Sequence, residues 1–187
     1  VDGAADPGSK HEDDDVCCDR IHIVYDDFNQ NDVNQPYKRY KTTYFAKKVD
    51  EGGDKRYAVY KTVQSWIQVV GDDTGSWTTD CAECYVEQKV RDHVVDMEFV
   101  PLNKAGLKMF PLPSPGTNAV ARDNLYKIKA IDLRLTFRSK NEFFRFTSAT
   151  KPRWLKGLGD RHKAFLDKYL RDSVVVTIYT RNIGEGI

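Results

Sequence analysis

The sequence reads YKRYKTTYFAKK (37–48), VDEGGD (49–54), KRYAVYKTV (55–63), QSWIQVV (64–70), GDDTGSWTTD (71–80) and CAEC (81–84), and this stretch decides the fold. Three of these runs are dominated by aromatic and β-branched residues, which favour a pleated and half-buried surface. Glycine and aspartate clusters separate the runs and are typical of turns. The stretch therefore predicts a meander of strands that ends at a pair of cysteines.

Alternation within this stretch predicts the individual strands. Residues 37–47 alternate loosely, and residues 56–63 alternate more clearly between two faces. Gly52 and Gly53 permit positive φ at the turn between them. Residues 66–70 are predicted to form a third strand.

Other segments of the chain add further strands. Residues 84–90 and 94–100 are strand candidates. Residues 125–137 form the longest β pattern, and its phase changes at Ala130-Ile131, which predicts a bulge or a strand buried on both faces. Residues 174–180, VVVTIYT, predict a strand in the centre of the sheet.

One segment, from Asp160 to Asp172, has a helical pattern. Asp160 is a suitable N-terminal cap. Apolar residues recur on one side at helical spacing, namely Phe165, Leu166, Tyr169 and Leu170. We therefore expect a mainly β fold that borders on α+β. It is an antiparallel sheet, sandwich or barrel, with one helix near the C-terminus before the last strand.

The totals suit a single folded domain. The chain has 187 residues, of which 40% are hydrophobic and 30% charged, with a formal net charge of +1. This length is sufficient for one domain with its own core. No run approaches the roughly 18 apolar residues that a membrane-spanning helix needs. We expect residues 17–187 to form one β-rich domain held by disulfides.

Residues 1–16 differ in composition from the rest of the chain. They lack aromatic residues and contain the acidic run Glu12–Asp15. Such a segment buries too little apolar surface to fold, so we predict a disordered acidic tail. We interpret Val1 as the start of a mature chain after signal removal, or as a boundary set by cloning. The sequence has no Asn-x-Ser/Thr sequon, so we expect no N-glycosylation.

The four cysteines form two close pairs, Cys17-Cys18 and Cys81-x-x-Cys84. An even set favours disulfides and hence a secreted, extracellular protein. Adjacent cysteines are strained when bonded to each other, so we favour the two connectivities that cross-link one pair to the other. Zinc binding and thioredoxin-type redox chemistry are the alternatives. A vicinal pair is poor geometry for tetrahedral zinc, and YVEQKV (85–90) indicates a strand instead of the helix that lowers a thiol pKa.

The sequence contains none of the catalytic motifs for which we searched. These are the Gly-x-Ser-x-Gly elbow, the phosphate-binding glycine loop, the His-Glu-x-x-His motif and the helix–loop–helix calcium loop. Asp92, His93 and Asp96 are candidate metal ligands, but on a strand His93 is out of phase with the two aspartates. We therefore expect a protein that is not an enzyme, with no catalytic residue, no metal and no required cofactor.

The segment Lys151–Arg171 is basic, with seven Lys and Arg residues against two aspartates. As an amphipathic helix it would contact an anionic membrane. The contact residues of this alternative, a membrane-active or toxin-like protein, are Lys151, Arg153, Trp154, Lys156 and Arg161. We favour a helix packed on the sheet with a solvated basic face, because its apolar side is aromatic and suits the core. Nucleic-acid binding does not fit a secreted protein.

Aromatic residues are the strongest functional signal in the sequence. The chain has ten Tyr, nine Phe and three Trp. Strand alternation places some of them on a solvated face, where they suit protein or glycan contacts, or inside a pocket. The predicted binding residues are Tyr40, Tyr44, Tyr57, Tyr60, Trp66 and Trp77.

These observations predict a secreted, extracellular, non-catalytic binding protein that works through an aromatic-rich β surface or pocket. We expect it to be a subunit of a homo- or hetero-oligomer, with other protein subunits as partners. The alternative is a carrier of an apolar small molecule, such as a pigment or lipid. A closed barrel lined by aromatics favours the carrier, whereas an open sheet with exposed aromatics favours protein assembly.

Overall fold

A computed structural model of the chain describes residues 18–29, 33, 36–51, 54–68, 75–110, 119–143, 153–156, 158 and 162–180. The tail predicted at 1–16 and Cys17 lie outside these residues. The described part forms nine strands and one helix. In chain order they are β1 (Ile21–Phe28), β2 (Tyr37–Glu51), β3 (Asp54–Gln68), β4 (Gly75–Thr78), β5 (Tyr85–Leu102), α1 (Ala119–Tyr126), β6 (Ala130–Arg138), β7 (Arg153–Lys156), β8 (His162–Phe165) and β9 (Arg171–Tyr179).

The strands confirm the predicted mainly β, antiparallel fold. Seven of them form one sheet, in which the hydrogen-bonded order is β1-β2-β3-β5-β6-β9 and β4 pairs with β3. β7 and β8 form a separate two-stranded sheet. The outer strands β1 and β9 do not pair with each other, so the sheet of the described residues is not closed into a barrel.

The stretch 37–84 forms most of the first half of this sheet. β2 and β3 pair without interruption over twelve residues. The strand predicted at 66–70 is the end of β3 and not a separate element, because the alternation of β3 continues through it to Gln68. β4 then returns and places Trp77 opposite Trp66. Gly52-Gly53, predicted to form the turn, lie outside the described residues.

β5 is a single strand of 18 residues where the sequence predicted two strands. Its first half pairs with β3 and its second half with β6, and Val94 pairs with Tyr57 on one side and Phe137 on the other. The register shifts at this point, and His93 has a φ of 56°. A non-glycine residue in the left-handed region is uncommon, and here it marks a β-bulge. β5 thus joins the half of the sheet formed by β1, β2, β3 and β4 to the half formed by β6 and β9, and the bulge lies at the junction.

The core lies where the two halves meet. Its buried side chains are Ile21, Val59, Val94, Met97 and Phe99. Partly buried residues pack around them, namely Cys18, Tyr44, Ala46, Tyr57, Ile131, Leu133, Leu135 and Phe137. The core therefore takes residues from β1, β2, β3, β5 and β6.

The helix predicted from Asp160 to Asp172 is wrong. β8 pairs with β7 in this region, and the residues that follow lead directly into β9. Asp167 forms ion pairs with Arg153 of β7, at 3.5 Å, and with Arg171 at the start of β9, at 2.5 Å. The β7–β8 pairing and the contact with Arg153 hold the segment extended, because tertiary pairing overrides a helical pattern of only four apolar positions.

The helix in the described part, α1, lies earlier in the chain. It ends within the segment 125–137 that the sequence predicted to be one long strand, and β6 begins only at Ala130. The amide of Lys127 still donates to the carbonyl of Asp123, as in a final helical turn. The change of phase at Ala130-Ile131 therefore marks the passage from helix to strand, and the predicted bulge is wrong.

β9 lies at an edge of the sheet, although its apolar run predicted a central strand. It pairs with β6 over all nine of its residues without a register shift. Val174, Val175, Val176 and Ile178 are about half exposed, and Tyr179 is 78% exposed. The predicted central position is therefore wrong. Among the described strands β9 pairs with β6 alone, and its apolar residues face solvent on both sides of the sheet.

Candidate ligand-binding cleft

The predicted binding residues divide between two faces of the sheet. Alternate residues of a strand point to opposite faces, so the registers of β2, β3 and β4 assign each residue to a face. One face carries Tyr40, Tyr44 and Tyr57. The other face carries Tyr60, Trp66 and Trp77. The six residues therefore do not form a single surface.

The face of Tyr40 contains a cleft of about 510 Å³. This volume falls within the roughly 300–1,000 Å³ of ordinary ligand sites. β1, β2, β3 and the chain at the start of β5 contribute to its wall. The lining residues include Tyr25, Tyr40, Lys61, Val63, Glu83 and Tyr85.

The sizes of the side chains make this region concave. Tyr25 and Tyr40 are register partners, and their rings stack with centroids 5.7 Å apart. On β3 the register partner of Tyr40 is Ser65, and the next residue on the same face is Val63, whose register partner on β5 is Tyr85. These smaller residues beside large rings leave a hollow. Tyr40 and Val63 are buried and form its floor, whereas Tyr25 is 44% exposed and stands at the rim.

A disulfide-bonded turn brings an acidic group to the cleft. Cys81 and Cys84 are bonded to each other, and the amide of Cys84 donates to the carbonyl of Cys81 at 3.0 Å. The turn carries Glu83, whose Oε2 accepts a hydrogen bond from the Tyr40 hydroxyl at 3.3 Å. Burial, and then the charge of Glu83, raise the pKa of Tyr40 above its ordinary value. The hydroxyl therefore stays protonated and acts as a donor.

The Cys81–Cys84 bond corrects the expected connectivity. The two cross-linked arrangements with Cys17 and Cys18 are wrong, because the two cysteines of the Cys-x-x-Cys pair are bonded to each other. Their Cα atoms are 4.9 Å apart, which is a distance that a disulfide spans. Cys18 is also disulfide-bonded. The described cysteines are thus all oxidised, and the zinc alternative loses its thiolate ligands.

Lys61 places a positive charge between two tyrosine rings. Its Nζ lies 5.9 Å from the ring centroid of Tyr44 and 5.7 Å from that of Tyr85. A hydrogen bond with the Tyr85 side chain raises the pKa of Lys61, so the ammonium group is charged at neutral pH. Contacts between a cation and a ring face also favour this position. The cleft therefore presents a cation held in place beside Tyr85.

The cleft carries charges of both signs. Asp27 and Lys38 are register partners on β1 and β2, and both line it. Glu83 and Lys61 add a second carboxylate and a second ammonium group. Charged groups lose hydration when an apolar ligand covers them. This lining therefore suits a ligand that combines apolar groups with charges better than a purely apolar one.

The opposite face carries a second group of aromatic residues. Trp66 and Trp77 meet edge to face with ring centroids 5.2 Å apart. Lys41 Nζ lies 4.6 Å from the Trp77 ring, and burial lowers the pKa of Lys41. Phe45 and Tyr60 stack further along this face with centroids 6.1 Å apart. Each ring packs on its partner across two neighbouring strands, so this face resembles a packed layer more than a receptor.

The residues of the membrane alternative lie on the β7–β8 hairpin or outside the described part. Trp154 is 63% exposed, Lys156 is exposed and Arg153 pairs with Asp167. Lys151 and Arg161 lie outside the described residues. Along the described chain, no helix is long and apolar enough to span a bilayer. The amphipathic helix on which this alternative depended is replaced by a strand.

Asp92 is engaged in an ion pair beside the bulge of β5. Nε of Arg56 donates to Oδ1 of Asp92 at 2.8 Å, and Arg56 also donates to Glu51. The hydrogen bond from Arg56 holds the pKa of Asp92 well below its usual range. The neighbouring His93 has a buried Nδ1 without a hydrogen-bond partner in the described structure. No group of three or more described His, Cys, Asp or Glu side chains is placed to hold a metal ion.

Three important cleft residues were missing from the predicted set. Lys61 was within reach of sequence reasoning, because a two-residue turn at Gly52-Gly53 sets it opposite Tyr44, as observed. Tyr25 and Tyr85 were not within reach of sequence reasoning, because their positions depend on the β1–β2 and β3–β5 registers. The β3–β5 register contains shifts that alternation alone does not reveal.

Comparison with known proteins gives no relative for this chain. No protein-family model matches it, no curated protein matches it, and no solved structure matches its fold. We therefore argue its function from the cleft itself.

Proposed function

We propose that this protein is a non-catalytic extracellular binding protein whose ligand occupies the cleft above Tyr40 and Val63. One observation carries the proposal: Tyr25, Tyr40 and Tyr85 come from three strands to line a single open hollow of about 510 Å³. Tyrosine offers a large rigid contact area with a polar tip, and it is enriched at binding surfaces. The buried floor and exposed rim let a ligand bury its apolar groups while its polar groups stay at the edge.

We propose a short segment of a partner protein as the ligand. An aromatic or aliphatic side chain of the partner would contact the tyrosines, and its charges would meet Lys61 on one side and Glu83 on the other. The balance of charges in the lining gives no preference for a polyanion such as nucleic acid, whose binding relies on clustered cations.

Disulfide chemistry supports an extracellular setting for this function. Cys81 and Cys84 are bonded, and Cys18 is in a disulfide as well. Disulfides form and persist in oxidising compartments and are rare in the cytosol. The Cys81–Cys84 bond also holds the turn that presents Glu83, so oxidation preserves one polar contact of the cleft.

The test is a selection of binding peptides from a random display library on the immobilised full chain. Affinities of the selected peptides are then measured for the wild type and for Tyr25→Ala, because Tyr25 is at the rim and its removal leaves the core intact. We expect Tyr25→Ala to weaken binding by about tenfold or more, as for an aromatic anchor at an interface. Lys61→Met reports separately on the charged contact.

Val24→Ala is the matched control. Val24 precedes Tyr25 on the same strand, is 53% exposed, and points to the other face of the sheet. We expect the selected peptides to bind Val24→Ala with affinities within about twofold of those for the wild type. If no selected peptide discriminates Tyr25→Ala from Val24→Ala, the cleft is not the binding site. If glycans on an array bind with the same dependence and peptides do not, the partner is not a protein.

The two alternative functions receive less support. An apolar carrier is favoured by a closed barrel, whereas the sheet of the described residues is open and the cleft contains four charged side chains. The membrane-active alternative depended on an amphipathic helix in a region where β8 is found. We therefore do not propose either as the function.

A further inference from the structure

β9 ends the sheet as a strand with one open side. β6 covers its other side along the whole strand, and no strand of the described part pairs with the open side. The exposed fractions of Val174, Val175, Val176 and Ile178 lie between 46% and 53%. An edge strand of this kind offers unpaired backbone groups to another chain.

Two hydrogen bonds just beyond the ends of β9 determine which residues point outward. The carbonyl of Leu170 accepts from the amide of Ser139, and the amide of Thr180 donates to the carbonyl of Lys129. In an antiparallel pair, hydrogen-bonded residue pairs alternate with non-bonded ones. Even-numbered residues of β9 therefore bond to β6, and the backbone groups of odd-numbered residues point to the open side.

The open run is short and apolar. The Ser173 amide donates to the carboxylate of Asp172 at 2.8 Å, so the outward amides that follow are those of Val175, Thr177 and Tyr179. No Lys, Pro or charged residue occurs from 174 to 180, and no bulge interrupts the pairing of β9 with β6. Charges, prolines and bulges are the usual means by which proteins block pairing at an edge. The charges of β9 are confined to Arg171 and Asp172 at its start, and the run from 174 to 180 has none of these blocks.

We propose that two copies of this chain pair antiparallel through β9, with the twofold axis at Thr177. Val175 then lies opposite the partner's Tyr179, and Val176 lies opposite the partner's Ile178. Only odd-numbered residues exchange hydrogen bonds in this register, as their outward direction requires, and roughly six backbone hydrogen bonds form. This interface is separate from the cleft, because the cleft lies toward the β1 edge of the sheet and β9 forms the opposite edge.

The sequence of β9 complements itself in this arrangement. Valine opposite tyrosine and valine opposite isoleucine are favourable cross-strand pairs. No charges oppose one another, because the paired run is uncharged. Val174 and Val176 are also the register partners of Leu135 and Leu133 of β6, so the apolar row on that face of the sheet continues across the twofold axis into the second copy.

The other edge of the sheet is a poorer partner for β9. β1 carries Asp26 and Asp27, and Asp26 is bonded to Arg39 at 2.7 Å. Charged residues at an edge discourage pairing. Pairing of β9 with β1 of another copy would also be head-to-tail, and it would extend without closing, whereas a β9–β9 pair closes as a dimer.

The test is sedimentation velocity of the full chain over a wide dilution series, with wild type, Val175→Pro and Val175→Thr. Proline at 175 removes an outward N–H and leaves the bonds to β6 intact, as at edge positions of natural sheets. We expect the wild type to reach twice the mass of one chain and Val175→Pro to raise the dissociation constant by roughly thirtyfold or more. Val175→Thr keeps the N–H and the β-branched shape, and it should dimerise like the wild type.

Amide hydrogen exchange of the wild type gives a second readout that does not depend on the folding of a variant. In the dimer the amides of Val175 and Thr177 should exchange at least about tenfold more slowly than in the diluted monomer, while those of Val174 and Val176 are protected in both. A monomer at every concentration, a series of larger species, or a dimer with fast exchange at Val175 and Thr177 would each overturn the proposal.

Discussion

The carboxylate of Asp19 accepts a hydrogen bond from the backbone amide of Phe99 at 2.7 Å. The amide of Asp19 in turn donates to the carbonyl of Met97, also at 2.7 Å. Asp19 is 3% exposed, and Ile21, two residues later, belongs to the core. The chain just before β1 is thus fixed to the second half of β5. Asp19 therefore couples the first strand of the sheet to the half that carries β6 and β9.

Replacement of Asp19 by alanine should destabilise the whole sheet. It removes a charge-assisted hydrogen bond and leaves the buried amide of Phe99 unpaired, so we expect the free energy of unfolding to fall by about 2–3 kcal/mol. Urea denaturation measures this loss. Asp50→Ala, at an exposed position of β2, should change it by less than about 0.5 kcal/mol. Equal effects of the two substitutions would show that Asp19 has no special role.

Acid should remove the contribution of Asp92 to stability. Because Arg56 lowers the pKa of Asp92 in the folded chain, the ion pair stabilises the fold fully above the unfolded pKa of about 3.9, and this contribution is lost as pH falls toward the lower folded pKa. We expect Asp92→Asn to lower Tm at neutral pH by roughly 3–8 °C.

Thermal unfolding of wild type and Asp92→Asn across the acidic range checks this prediction. The difference in Tm should be constant near neutral pH and should shrink below about pH 4. A difference that persists unchanged into strong acid, or grows there, would contradict the role of the Asp92 charge. Asp50→Asn serves as the exposed control.

Glycine at position 93 should stabilise the bulge. The φ of 56° at His93 is costly for a residue with a Cβ, by about 1–2 kcal/mol, whereas glycine adopts it freely. Glycine also loses about 0.5–1 kcal/mol of backbone entropy on folding, so the net gain in unfolding free energy should be about 0.5–1 kcal/mol. Calorimetry of His93→Gly beside His93→Ala separates backbone from side chain. If His93→Ala raises the unfolding free energy as much as His93→Gly does, the gain comes from removal of the imidazole and not from the backbone.

The fold was predictable from sequence where the pattern is local. Alternation on either side of Gly52-Gly53 predicted the β2–β3 hairpin, which depends on residues close in the chain. The helix over 160–172 failed because β8 pairs with β7 and Asp167 binds Arg153 of β7, and these contacts lie outside the segment that carries the helical pattern. The central position of β9 failed because an apolar run does not encode strand order.

The cleft was less predictable than the fold. Tyr40 was identified because the sequence around it is rich in aromatics, but alternation gave no means to separate it from Trp66 on the other face. Glu83 reaches Tyr40 because Cys81 and Cys84 bond locally. A longer cross-link to Cys17-Cys18 was expected, and it would have placed the turn differently. The site thus depends on registers and on one disulfide, neither of which the sequence alone determines.

The division of rings between the two faces makes them optically distinct. Tyrosines and one phenylalanine line the cleft, with no tryptophan among its described lining residues, whereas Trp66 and Trp77 form a close pair on the reverse side. In a Trp154→Phe variant, which removes the tryptophan of the β7–β8 hairpin, Trp66 and Trp77 are the two tryptophans that remain, so tryptophan emission then samples the reverse face. Such a variant needs no added label to report whether occupancy of the cleft rearranges the layer behind it.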